Sequence, residues 1–262
     1  MPDLIEPAFV AMAGRSGSTL LMSRLAAHPQ IVAERHYPME FKPFLAAAFT
    51  HDERLVSSLA AHGIEDDEPT IRGMLARRPP SAERARAIYR RLAAIQGKSP
   101  AYAAEKCEYR YARPALATYP NARLIVLVRD PRAVIVSVRD FDAKRGYRGF
   151  FERDGDPDDE VVRKYTRRLE HLTAIVATLP HHLVRYEDLM LSPARTMRGV
   201  YDWLGVEPVP ESEPPSLEHH RSALSADASI GRWRRTMSPE LQALCNERWG
   251  SVLGAFGYAE PG

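Results

Sequence analysis

The sequence predicts a three-layer α/β/α fold with a central, mostly parallel sheet. Residues 8–13 form a short apolar run that ends in a glycine-flanked turn and leads into a helical pattern. Residues 124–128 form a continuous leucine and β-branched run, the composition of a parallel strand covered on both faces, and it too feeds a helix. Amphipathic helical stretches and further short strands fill the remainder, the alternation expected of α/β architecture. A chain of 262 residues can bury one sizeable core, so residues 1–262 read as a single domain.

The first turn is Gly14-Arg-Ser-Gly-Ser-Thr19, and the helix after it spans 18–28 with Leu21, Leu25 and His28 along one face. Strand, glycine loop and helix aim free backbone N–H groups at an anion. Glycine lets the backbone approach phosphate closely. Ser16, Ser18 and Thr19 add hydroxyls and Arg15 adds a forked cation, which makes the loop a candidate phosphate cradle. A Walker A loop would end in Gly-Lys-Ser/Thr; here Gly17 is followed directly by Ser18, and the cation precedes it. Taken alone, an ordinary strand-to-helix turn has the same pattern.

Residues 38–97 read as mostly helical, with breaks at Pro69 and Pro79-Pro80. Arg77, Arg78, Arg84, Arg86, Arg90 and Arg91 make part of this stretch basic, either as a solvated face or as a wall facing an acidic substrate. Lys106 follows a short strand, and its ordinary reading is a surface lysine paired with Glu105 or Glu108. Arg129 falls at the carboxyl end of the 124–128 strand, where ligands bind in open α/β sheets. Asp130 is the expected N-cap, Pro131 the first helical residue, and Ser137 lies about two turns on. Arg129 and Ser137 can thus reach one side of one ligand; the alternative for Arg129 is a salt bridge to Asp130. Residues 158–179 carry Val162, Tyr165, Leu169, Leu172, Val176 and Leu179 at helical spacing, with acids crowding the start. Residues 182–186 read as a strand and 207–216, rich in proline, as a loop before C-terminal helices.

A net charge of +2 gives no bias towards nucleic acid or an anionic membrane. Two cysteines are too few for a disulfide framework and suggest a reducing compartment. The N-terminus lacks the pattern of a signal peptide, and no apolar run is long enough to span a bilayer.

The Gly14–Thr19 loop and the stretch Arg129-Asp-Pro-Arg-Ala-Val-Ile-Val-Ser137 together resemble the sulfotransferases that use 3′-phosphoadenosine 5′-phosphosulfate (PAPS). Val184-Arg-Tyr-Glu-Asp-Leu-Met-Leu-Ser-Pro193 and Ile230-Gly-Arg-Trp-Arg234 are similar to two later family segments, and the resemblance spans residues 8 to about 258. It is closer to the tyrosylprotein and carbohydrate branch. The resemblance implies a P-loop NTPase-like fold and a metal-independent transfer of SO3 from PAPS to an acceptor hydroxyl, with PAP (the 3′,5′-bisphosphate) as product. It implies that Arg15, Ser16, Gly17, Ser18 and Thr19 bind the 5′-phosphosulfate. Arg129 and Ser137 would bind the 3′-phosphate, with Tyr186 beside the adenine. Gly231, Arg232 and Trp233 would close over the nucleotide. Family members place a catalytic lysine near Lys106, although Cys107-Glu108 departs from their pattern. Arg15 and Lys106 are the expected cations at the bridging oxygen. Glu34, His36 and Glu40 compete as the base, with Glu40 favoured and Glu108 behind them. The segments 38–97 and 142–158 are expected to shape the acceptor site. Golgi relatives carry a membrane anchor that is absent here, which suggests a cytoplasmic, bacterial enzyme. The competing classes are a P-loop kinase and a non-catalytic nucleotide-binding module.

Overall fold

Strand β1 (Glu6–Met12) is buried along almost its whole length, and its side chains feed both sides of the sheet. Phe9 and Ala11 join one apolar cluster; Ala8, Val10 and Met12 join another. The computed structural model describes residues 4–35, 38–49, 81–210 and 229–259. Helix α1 (Ser18–Ala27) follows β1, and β2 (Ile31–Val32) follows α1. Next come α2 (Pro43–Ala48), α3 (Ala82–Ile95), β3 (Tyr102–Glu108) and α4 (Tyr109–Thr118). Strand β4 (Arg123–Val128) leads into α5 (Pro131–Arg145), and α6 (Asp158–Thr178) into β5 (His182–Arg185). The described chain ends with α7 (Tyr186–Leu191), α8 (Pro193–Leu204), α9 (Trp233–Thr236) and α10 (Pro239–Ala255).

The sheet has five strands in the order β2-β3-β1-β4-β5. All its pairings are parallel, which sharpens the expected mostly parallel sheet. Helices α2–α6 and α10 pack on one face; α1, α7 and α8 pack on the other. The chain turns from one half of the sheet to the other beside β1, so the carboxyl ends of β1, β3 and β4 border the crevice where open α/β sheets bind ligands.

Local boundaries follow local chemistry. Helix α1 stops at Ala27, and buried His28 caps it, with Nε2 bonded to the Glu207 carbonyl at 2.9 Å. Asp130 caps α5 by accepting from the Arg132 N–H at 2.9 Å, and Pro131 opens the helix. The long helix α6 buries Val161, Val162, Tyr165, Leu169, Leu172 and Ile175; Val176 and Leu179 are only partly covered. The 182–186 strand ends one residue early because Tyr186 begins α7. Within 38–97 the described residues form α2 and α3; Pro69, Pro79, Pro80, Arg77 and Arg78 lie outside them, as do 211–216. Arg86 bonds the Ile5 carbonyl and Glu6, at the amino-terminal end of β1, the end opposite the glycine loop. Among the described residues no helix is long and apolar enough to cross a membrane.

Candidate active site

The glycine loop holds two left-handed residues, Arg15 at φ 66° and Gly17 at φ 94°. A non-glycine residue in that region stores strain, which clusters at functional sites. Gly17 is required twice over, because a Cβ there would also collide with the Tyr186 ring. The buried Ser16 hydroxyl donates to the Ala13 carbonyl at 2.7 Å, so it braces the loop from within. The first helical bond of α1 runs from Leu21 N to Gly17 O. The amides of Ser18 and Thr19 therefore precede the first helical hydrogen bond and have no intrahelical acceptor.

Lys106 is no surface residue. It lies inside β3, 2% exposed, and its Nζ donates to Thr19 Oγ1 at 3.1 Å and to the Pro38 carbonyl. Glu40 Oε1 lies 3.5 Å away. Burial lowers its pKa to about 8, against the pull of Glu40. The neighbouring Glu105 faces the other side of the strand and cannot be its partner. Glu105 is fully buried and accepts from Phe44 N at 2.7 Å, Leu45 N at 2.9 Å and the Tyr89 hydroxyl at 2.7 Å. It thereby holds the start of α2, just after Glu40 and Lys42. Burial raises its pKa to about 7.

Glu40 pairs with Lys42 as well as Lys106. Burial pushes its carboxyl up, but the two lysines outweigh that and hold it below the ordinary range. It lines a cleft of about 500 Å³ whose walls include Gly14, Lys42, Glu108, Phe150 and Arg167. Both stretches expected to shape an acceptor site contribute, through Glu40 and Lys42 from one and Gly149, Phe150 and Phe151 from the other. Glu108 pairs with Arg110 at 3.2 Å, with about half of its side chain exposed. Glu34 is buried, close enough to feel the Tyr89 hydroxyl, and is not among the cleft's walls. His36 lies outside the described residues.

At the other end of the loop a second group converges. Arg129 donates from Nη1 to the Arg15 carbonyl and from Nη2 to Ser229 Oγ, each at 3.0 Å. Its guanidinium lies 4.2 Å from the centre of the Tyr186 ring. Tyr186 and Ser229 share a hydroxyl–hydroxyl bond of 2.9 Å. Arg15 donates from Nε to Ser137 Oγ at 3.3 Å and lies over Phe141, so its side chain points to this end rather than to Lys106. Arg232 pairs with Asp140 at 2.6 Å, and buried Trp233 stacks under Arg132 at 3.8 Å. Arg129, Ser137, Ser229, Arg232 and Trp233 line one small pocket. The salt bridge from Arg129 to Asp130 does not form, because Asp130 is held by the Arg132 side chain at 2.9 and 3.0 Å. Arg129 is thus turned to the pocket, and its buried Nε has no hydrogen-bond partner among the described residues. Glu187 completes the corner by accepting from Asp130 N and the Tyr258 hydroxyl.

Sequence reasoning missed Ser229, Asp140 and Glu105. Ser229 sits outside any recognisable motif, and Glu105 reads as a surface acid because its partners are 16 to 61 residues away.

The five-stranded parallel sheet flanked by helices, with the glycine loop after its central strand, defines an α/β protein of the P-loop-like type. The model of the sulfotransferase family matches residues 7–211, and the chain belongs to that family. The omega-hydroxy-beta-dihydromenaquinone-9 sulfotransferase Stf3 of Mycobacterium tuberculosis is 32% identical over 149 residues, 55% of this chain and 37% of that protein. Carbohydrate sulfotransferase 1 of Mus musculus is 26% identical over 160 residues, 53% of this chain and 39% of that protein. The matched stretch is thus well under half the length of these relatives. The solved sulfotransferase domain from the curacin biosynthetic pathway superimposes with a TM-score of 0.61 at 18% identity, covering 98% of this chain and 99% of that one. Sulfotransferase STF9 from Mycobacterium avium gives 0.54 at 16% identity, covering 99% and 79%. These structures share the fold.

Proposed function

We propose that the protein transfers a sulfuryl group from PAPS to an acceptor hydroxyl by in-line displacement without a metal ion. The observation that carries this reading is the pair of sites at the two ends of one loop. Lys106 meets Thr19 at one end, and Arg129 meets the Arg15 backbone at the other. PAPS carries anionic groups at both ends of a nucleoside, and the residues fit it: the orphaned, buried Arg129 Nε needs an acceptor, which an anion would supply. PAPS supplies the sulfuryl group on a phosphate leaving group.

In this reading Arg129, Ser137 and Arg15 hold the 3′-phosphate, and Arg232 and Trp233 close the pocket after the turn at Gly231. Tyr186 flanks the adenine while its ring, already under Arg129, fixes that arginine. The amides of Gly17, Ser18 and Thr19 and the Lys106 ammonium stabilise the charge growing on the bridging oxygen as its bond to sulfur breaks. Glu40, ionised and on the cleft wall, takes the acceptor's proton. Arg15 serves the nucleotide end, which leaves Lys106 as the cation at the reacting end. Names of the relatives speak of a hydroxylated quinone and of carbohydrate, and a hydroxyl acceptor is proposed here too. Buried, free Cys107 and Cys245 support a cytoplasmic setting.

Calorimetric titration with PAP, beside ATP with Mg2+ and again with EDTA, tests the reading. Micromolar or tighter PAP binding that ignores EDTA is expected. Silence towards PAP together with Mg2+-dependent ATP binding would make the protein a phosphotransferase instead.

A further inference from the structure

The cleft beside Glu40 has a one-sided wall. Helix α6 presents Arg167, Arg168 and, one turn beyond Arg167, His171 to it. Four neighbouring cations are matched to carboxylates. Arg139 pairs with Glu152 and Asp158, Arg148 with Glu152 and Asp154, Arg163 with Glu160, and Lys164 with Asp156. Arg167 and Arg168 break that pattern. Arg168 donates to the Lys164 carbonyl at 3.5 Å and lies 5.3 Å from the centre of the Phe151 ring. Neither arginine has a carboxylate within ion-pair distance among the described residues. The acids that do line the cleft are already engaged, Glu40 by Lys42 and Lys106 and Glu108 by Arg110. Phe150 and Phe151 give the same cleft an aromatic wall.

Resting on the sulfotransferase reading of this site, we propose that Arg167 and Arg168 select the acceptor: the hydroxyl substrate carries an anionic group beside an apolar or aromatic frame. The anion meets the two guanidiniums, the frame lies on Phe150 and Phe151, and the hydroxyl turns towards Glu40 and Lys106. Two adjacent guanidiniums facing a partly enclosed cleft attract a carboxylate, sulfate or phosphate and steer its approach. In the arginine-rich stretch 77–91, Arg86 is engaged at the amino-terminal end of β1, away from this cleft.

The test uses a matched pair of fluorescent probes on the PAP-saturated protein. Anilinonaphthalene sulfonate carries the anion, and N-phenyl-1-naphthylamine is the same frame without it. The sulfonate is expected to bind about tenfold tighter, the effect of one favourable charge contact. Arg167→Glu, at an exposed position with no ion pair to lose, is expected to remove that advantage while leaving the uncharged probe and the melting temperature unchanged. Equal binding of both probes, or sulfonate binding indifferent to Arg167→Glu, overturns the inference. Either result with PAP affinity intact sinks the anionic acceptor alone, whereas failure to bind PAP sinks the donor reading beneath it.

Discussion

The proposed nucleotide corner around Arg129 and the proposed acceptor cleft around Glu40 both border the glycine loop and are built differently. The corner is tied down by two adjoining groups, Arg129 with Tyr186 and Ser229, and Asp130 with Arg132 and Glu187, each held by hydrogen bonds or ring contacts. The cleft, about 500 Å³, takes its walls from separate stretches of chain, among them Gly14, Glu40, Glu108, Phe150 and Arg167. In the proposed reading the tied corner holds the donor and the cleft receives the acceptor. Lys106 is the seam, bonded to the loop through Thr19 and to the cleft through Glu40.

The largest effect comes from cutting that seam. Lys106→Ala should lower kcat by about 10²–10³-fold, the loss typical of one preorganised charge-stabilising donor. PAP affinity should fall much less, because the corner stands without it. Steady-state turnover of PAPS and PAP calorimetry on the same variant would separate the two, and an equal loss in both would erase the distinction between the regions.

A smaller effect sharpens the cleft's side of the comparison. Burial raises the Glu105 pKa from 4.5 to about 7. The folded state therefore holds a proton that the unfolded chain releases above pH 4.5. The stabilisation from this group is full below about 4.5 and is lost as pH rises through about 7, at most about 3 kcal/mol. Glu105→Gln should flatten the dependence of unfolding free energy on pH across that window, measured by denaturant titration. A slope identical to wild type would show that Glu105 does not titrate there.

The same contrast explains what the sequence made legible. The loop at 14–19 and the helix start at Asp130-Pro131 obey rules that operate within a few residues: apolar strand, glycine at a left-handed position, side-chain cap, proline at the first turn. The fold class and the location of Arg129 followed from them. Lys106 and Glu105 did not read as members of a central strand, because two adjacent charges argue against burial and their partners are distant in the chain. The choice among Glu34, His36 and Glu40 was equally opaque. What separates Glu40 from Glu34 is the path of the chain after β2, which carries Glu40 to the cleft and leaves Glu34 buried near Tyr89. No periodicity marks Arg167 and Arg168 as unpaired, since that depends on where the acids of 152–160 are engaged.

The central claim is that the corner reads a 3′-phosphate. The most direct measurement is the affinity ratio of PAP to adenosine 5′-phosphate in the wild type and in Arg129→Ala. Charge-assisted bonds from Arg129 account for about 1.5–3 kcal/mol, so Arg129→Ala should lower the ratio by roughly tenfold to a hundredfold, leaving the share of Arg15 and Ser137. Equal weakening of both ligands by Arg129→Ala would contradict the assignment and leave Arg129 as a brace for the loop.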